Sequence, residues 1–290
     1  MEIRRLACVL SGGGAKSAAH VGAHRAMEEA GLRPARYVGT SMGAVVAACF
    51  AGGLSHDEAL RRMLSISRRD VAGPSATLLK GPYARNLLSG RRLKQTIRRL
   101  VPATRFADLR VPLTVTAVDT DRGDLVLLGA GGDEGVPLVD ALLASCSLPV
   151  LYPPVKIGGR VLADGGLRTV LPLDVAGQFD PDAVFAVRVG PSFAAQSGDA
   201  SDDTLPLLRA HNMAMRTLMA AQTDREIARW RDKSVPLILV EPAVERGATF
   251  DVGSAVRYIE DGYRVAVIAL RSSGLVAEPD NTHAPQKAAE

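Results

Sequence analysis

The stretch from Leu6 to Gly53, LACVLSGGGAKSAAHVGAHRAMEEAGLRPARYVGTSMGAVVAACFAGG, constrains this chain more than any other. It reads as a buried strand, a glycine turn, an amphipathic helix ending at Gly31, a second strand, a sharp turn at Ser41 and another helix. That β-α-β-α order is the grammar of a mainly parallel sheet covered by helices. A chain of 290 residues with 47% hydrophobic content can bury one large α/β core or two small ones. No internal repeat and no strong linker divides it.

Further along, VPLTVTAVDT and DLVLLGA read as two strands joined at DRG, and PLVDALLASCSLP as a helix stopped by Pro149. VKIGGRVLADGG reads as a hairpin running into a turn at Asp164. DAVFAVRVG and VPLILVEP are the last convincing strands, separated by the helical LLRAHNMAMRTLMAAQTDREIARW. PSFAAQSGDASDD and the tail after about Ser273 are expected to be loose, by composition. Cys8, Cys49 and Cys146 each sit among apolar neighbours, which suits buried thiols in a reducing compartment rather than a disulfide framework. The apolar run before SGGG is too short for a signal peptide, and no stretch is long enough for a membrane span. A cytoplasmic protein is the expectation.

SGGGAKS leaves a strand and enters a helix, so the amides of Gly13, Gly14 and Ala15 are expected to face outward at the positive end of that helix. A dinucleotide fingerprint would want glycine where Ser17 stands and an acidic residue where Gly39 and Thr40 end the next strand. A phosphate loop would want glycine, not Ala15, before Lys16. The third reading is an oxyanion hole, with amides aimed at the charge that develops on an attacked carbonyl.

That reading gains force from GTSMG, where Ser41 stands between Gly39 and Gly43 at a strand-turn-helix junction of the kind that presents a nucleophilic hydroxyl. The competing reading is a serine that merely caps the helix. An α/β-hydrolase places its elbow later in the chain and a histidine after it. Here His20 and His24 lie on the first helix, His56 opens a surface helix, His211 lies in the late helix and His283 in the tail. None is well placed as a base. The i, i+4 pair His20 and His24 lacks a third metal ligand, so both are read as helix-surface or packing residues.

Taken together, strand-GGGAK-helix-strand-GTSMG-helix, followed much later by ASCSLPVLYPPVKIGGRVLADGGL, resembles the patatin-like phospholipase family from about Leu6 to Leu270. The resemblance implies a three-layer α/β/α fold and acyl transfer by a Ser–Asp dyad without histidine. It makes Ser41 the nucleophile and Asp164 the base, with oxyanion amides from Gly12, Gly13, Gly14 and Ala15. Lys16, Gly39, Gly43, Gly165 and Gly166 would support them. Asp119, Asp121 and Asp140 are rivals for the base, at positions that need no catalytic explanation. Two positions depart from the family pattern: Ser17 replaces a common glycine, and Val170 replaces an asparagine that often braces the aspartate loop. No cofactor, metal or nucleic-acid partner is implied. The substrate would be a phospholipid or another acyl ester. A weakly active or inactive lipid-binding module of the same fold is the alternative.

The organisation that follows is one acyl-hydrolase domain over residues 1–272, with 55–105 as a basic helical lid or insert and 273–290 as a disordered tail. Ser55 to Arg105 carries ten Arg and two Lys against three acids, a net +9 in a chain whose total is +4. Within RNLLSGRRLKQTIRRLVP, Leu93, Ile97, Leu100 and Val101 share a helical stripe. Such a helix either lies on an anionic membrane or packs its stripe on the sheet. Both readings stay open at this point, the first adding peripheral membrane contact to a cytoplasmic location.

Overall fold

Leu6–Leu10 offers no polar position to turn toward water, and it forms a strand buried at every residue in the middle of the sheet. The structure, a computed structural model, describes residues 3–76, 79, 86–192, 206–243 and 251–275. Among these, eight strands form one sheet: β1 (Leu6–Leu10), β2 (Pro34–Thr40), β3 (Leu113–Asp119), β4 (Leu125–Gly129), β5 (Val155–Ile157), β6 (Arg160–Asp164), β7 (Ala183–Val187) and β8 (Leu237–Val240). The helices are α1 (Ala19–Glu29), α2 (Met42–Ala51), α3 (His56–Leu64), α4 (Arg68–Val71), α5 (Gly90–Leu100), α6 (Leu138–Ser145), α7 (Leu173–Gly177), α8 (Pro206–Arg231) and α9 (Ala255–Ser272).

The strands β3-β2-β1-β7-β8 are parallel, and β4, β5 and β6 join antiparallel at the β3 side. The mainly parallel sheet is therefore a mixed one, with a parallel centre and an antiparallel flank. Successive strand residues point to opposite faces, and the core divides accordingly. Leu6, Cys8 and Leu10 meet α1, α2, α6 and α9 on one face, while Ala7 and Val9 meet α7 and α8 on the other. This alternation makes the three layers.

β3 also sets the geometry of the site. A strand has only two edges, and β4 occupies one of them along Thr114 to Val118. On the other edge, β2 pairs up to Thr116 and β6 takes over from Ala117. Thr40 and Asp164, the last residues of β2 and β6, thus pair with adjacent residues of β3. The chain ends of two distant strands are brought together by one shared neighbour.

α9 is an element the sequence reading passed over. It packs against α1 through glycines: a Cβ at Gly22 would stand 1.8 Å from the Ile259 carbonyl oxygen, and one at Gly262 would stand 2.0 Å from that of Ala19. Gly22→Ala would gain about 1 kcal/mol in helix propensity. The clash with backbone outweighs that gain, because overpacking costs about 1–3 kcal/mol even where side chains can move. A net loss of about 2 kcal/mol is expected, read as a lower denaturant midpoint at unchanged slope.

The basic segment folds as α3, α4 and α5, and its apolar stripe is inside: Leu93, Ile97, Leu100 and Val101 are all buried in the main core. The stripe is packed inside the protein, mainly on α6, α4, α3 and α2 rather than on the sheet. Arg91, Arg92, Arg98 and Arg99 remain on the outer surface. The three cysteines are free and buried. No helix among the described residues is long and apolar enough to cross a membrane. Residues 80–83, most of 191–203 and the tail from 276 lie outside the described residues.

Candidate active site

Ser41 occupies a tight elbow between β2 and α2, with φ 55° and ψ −133°, a left-handed φ unusual for a residue with a side chain. Close packing enforces the turn. A Cβ at Gly43 would lie 2.3 Å from the Ser11 carbonyl oxygen, and one at Gly39 would lie 2.6 Å from Ala44 Cα. The Ser41 carbonyl accepts from the Ala44 amide at 2.9 Å, so its backbone starts the helix. Its side chain makes no capping bond. Instead Ser41 Oγ donates to Asp164 Oδ2 at 2.9 Å.

Asp164 is 4% exposed. Its Oδ1 accepts from the Gly166 amide at 2.8 Å, and its own amide donates to the Ser147 carbonyl at 3.1 Å. Burial pushes its carboxyl up to about 7, against the opposing pull of the Gly166 amide and the Ser41 hydroxyl. Gly165 has no room for a side chain, since a Cβ there would be 2.2 Å from Thr116 Oγ1. Two of the rivals are otherwise occupied, and Asp121 is exposed. Asp119 Oδ1 accepts from the Asp121 amide at 3.0 Å in a turn, and Asp140 pairs with Lys94.

The glycine turn abuts the nucleophile, a Cβ at Gly12 falling 3.2 Å from Ser41 Cβ. The expected donor set needs one correction. Gly12 is buried and its amide donates to the Val170 carbonyl at 3.0 Å, so it is already committed. Gly13, Gly14 and Ala15 are partly exposed at the start of the 3-10 turn Gly14–Ala18, and their amides have no acceptor among the described residues. Those three amides are left open beside the elbow. Lys16 is buried, and desolvation together with the charge of Arg216 lowers its pKa to about 8.

Sequence reasoning missed the residues that brace this arrangement. The end of α6 holds both halves: Ser145 Oγ accepts from the Ser41 amide at 2.8 Å, and Ser147 holds Asp164 as described. Both serines are fully buried. The signal was one hydroxyl residue, Ser145, inside the apolar ASCSLP; Ser147 acts through its carbonyl, while its hydroxyl donates to the Leu143 carbonyl at 2.8 Å. Beneath the elbow, Thr40 Oγ1 bonds Thr116 Oγ1 at 2.7 Å and the Thr169 carbonyl at 3.1 Å. Thr169 Oγ1 in turn donates at 2.9 Å to Glu226, a buried acid of α8 whose other oxygen accepts from the Asp174 amide at 3.0 Å. Burial raises its pKa to about 7.

Both histidines of α1 are packing residues, not surface ones. His20 Nε2 donates to the Ser11 carbonyl at 2.9 Å, while His24 stacks on Phe50 at 3.6 Å and bonds Tyr37 Oη at 2.7 Å. Burial lowers their pKa values to about 4 and about 3, so both are neutral near pH 7. Among the described residues no group of three or more His, Cys, Asp or Glu is arranged to hold a metal ion.

A strained serine at a strand-to-helix elbow, bonded to a buried aspartate beside open backbone amides, makes this a serine–aspartate site on a three-layer α/β fold. The chain belongs to the patatin-like phospholipase family, whose model matches residues 8–176. It is 31% identical over 199 residues to an uncharacterized NTE family protein of Mycobacterium tuberculosis, covering 68% of this chain and 52% of the relative. It is 30% identical over 188 residues to patatin-like phospholipase domain-containing protein 7 of Rattus norvegicus, covering 64% of this chain and 14% of that one. Among solved structures, VipD from Legionella pneumophila shares the fold, with a TM-score of 0.50 at 17% identity over 94% of this chain and 67% of VipD. The chain spans about half the length of the mycobacterial relative.

Proposed function

We propose that this protein is a lipid acyl hydrolase of the phospholipase A, lysophospholipase or esterase type, with Ser41 as nucleophile and Asp164 as general base. The observation that carries the reading is the 2.9 Å hydrogen bond from Ser41 Oγ to a buried carboxylate. Asp164 takes the hydroxyl proton as Ser41 attacks the ester carbonyl. The amides of Gly13, Gly14 and Ala15 hold the tetrahedral oxyanion. On collapse the C–O bond breaks, the alcohol leaves with the proton Asp164 returns, and the acyl group stays on Ser41. Water, deprotonated by Asp164, then attacks the acyl-enzyme; the acyl C–Oγ bond breaks, Ser41 takes the proton back from Asp164, and the fatty acid is released.

Residues 1–272 would work as one domain, with 55–105 as its basic lid. Peripheral contact with an anionic membrane would use the arginine face of that segment, its apolar stripe being buried. Val170, the departure from the family pattern, acts here through its carbonyl, which braces Gly12 whatever the side chain.

A fluorophosphonate probe tests the reading, because it labels only an activated serine. The purified protein is expected to label at Ser41 and to release fatty acid from phospholipid or lysophospholipid. Lipid binding without labelling or release would mean the binding-module alternative.

A further inference from the structure

Several arginines of this chain are paired with acids. Arg61 and Arg62 share Glu58, Arg5 meets Asp182, and the buried Arg188 lies between Asp224 and Glu241. One place gathers four arginines around a single acid. A cleft of about 550 Å³ between α4 and α5 is lined by Arg69, Arg92, Arg98 and Arg99 with a single acid, Asp70. Asp70 is fully engaged, one oxygen by Arg99 and the other by the Ser67 amide at 2.8 Å. Arg69 and Arg98 are exposed and have no side-chain partner among the described residues. The region is also where the chain concentrates its charge. With +9 between Ser55 and Arg105 and +4 in total, the remainder carries −5.

The walls of this cleft are fixed before anything binds. Thr96 Oγ1, buried on α5, donates to the Asp70 carbonyl at 3.2 Å, and the Ser89 amide donates to the Gly73 carbonyl at 2.9 Å. Arg92 runs against Gly73, where a Cβ would be 2.5 Å from its Cδ, and its Nη1 reaches the Arg69 carbonyl at 3.5 Å. Two guanidinium groups are therefore oriented and two are left free. Folding has gathered four like charges around one occupied carboxylate, an arrangement that repels itself until an anion enters. Guanidinium forks match the oxygens of a phosphate bidentately.

The same body carries the candidate catalytic residues. The Leu87 and Leu88 amides donate to the Val150 and Leu151 carbonyls at 2.9 and 2.8 Å, and Tyr152 Oη bonds the Val71 carbonyl. That loop begins at Ser147, which holds Asp164.

We propose that the cleft between α4 and α5 is a binding site for a phosphate-ester group, held by Arg69, Arg92, Arg98 and Arg99. The ligand is a lipid phosphate at a bilayer surface or a soluble phosphate ester, and the two sources share this chemistry. The site does not depend on the acyl-hydrolase reading, so a Ser41→Ala protein should bind as well as the parent.

The test is vesicle flotation of the full chain with phosphatidylcholine alone and with phosphatidylcholine containing phosphatidate, alongside calorimetry with glycerol phosphate. Binding is expected to phosphatidate vesicles and not to neutral ones if the source is lipid, and to glycerol phosphate with comparable affinity if it is soluble. Arg69→Gln with Arg98→Gln removes two guanidiniums that hold no structural contact, and should weaken binding about 30-fold at an unchanged melting temperature. Arg68→Gln with Arg91→Gln removes the same charge from exposed positions outside the cleft, and should weaken it less than about 3-fold. Equal losses in the two pairs would mean a diffuse field and overturn the proposal, as would no binding of either phosphate probe.

Discussion

Ser41→Ala is expected to lower ester hydrolysis by roughly 10⁴-fold or more, and Asp164→Asn by nearly as much. The second change is the more telling. Asparagine keeps the shape of the side chain and an oxygen that can accept from the Gly166 amide, so the loop has little reason to move. It cannot accept a proton from Ser41. Neither histidine of α1 stands ready to replace it, because His20 and His24 are buried, neutral and already bonded to the Ser11 carbonyl and Tyr37 Oη. Loss of the base should appear in kcat with KM nearly unchanged, since the carboxylate acts on the hydroxyl rather than on bound lipid. Fluorophosphonate labelling should slow in parallel. If Asp164→Asn kept more than about a tenth of the parental kcat/KM, Asp164 would be a structural residue and the mechanism would need another proton acceptor.

Much of this site was legible in the sequence, and what was not has a physical explanation. The elbow at Ser41 was readable because it is local: an apolar strand, two small flanking residues and a helix fix the turn within a few positions. The partnership of Ser41 with Asp164 is not local. It depends on β2 and β6 sharing one edge of β3, which no periodicity announces, and only the family resemblance placed the aspartate there. The commitment of the Gly12 amide was hidden for the same reason, because its acceptor at Val170 arrives from a distant loop. The stripe of α5 was read correctly as a stripe, yet its spacing is the same whether the neighbour is lipid or α6. α9 could have been found. Its buried positions Ala255, Tyr258, Ile259, Gly262, Ala266 and Leu270 follow helical spacing, but two are alanine and one is glycine, so hydrophobicity alone understates the face.

Hydrolysis should rise with pH to a plateau, with the acidic limb of kcat/KM centred near 7. The base works only when ionised, and burial raises the Asp164 carboxyl to about 7. Each unit below that value removes a factor of ten, so the rate at pH 5 should be about 100-fold below the plateau. Stability should move the opposite way. A carboxyl whose folded pKa is raised favours the folded state fully below its unfolded value, near 3.8 for Asp164, and loses that contribution as pH climbs through about 7. Glu226, raised to about 7 by burial, adds a second group with the same sign. The share of these two carboxyls in the melting temperature should therefore fall between about pH 4 and pH 7 while activity climbs, against the opposite pull of His20 and His24, whose pKa values burial lowers to about 4 and about 3. Asp164→Asn should remove part of that fall, and Glu226→Gln another part, which separates the carboxyl that does chemistry from the one that holds Thr169. A limb centred near pH 4 would mean that water reaches Asp164 freely, and the burial that makes it a competent base at neutral pH would have to be given up.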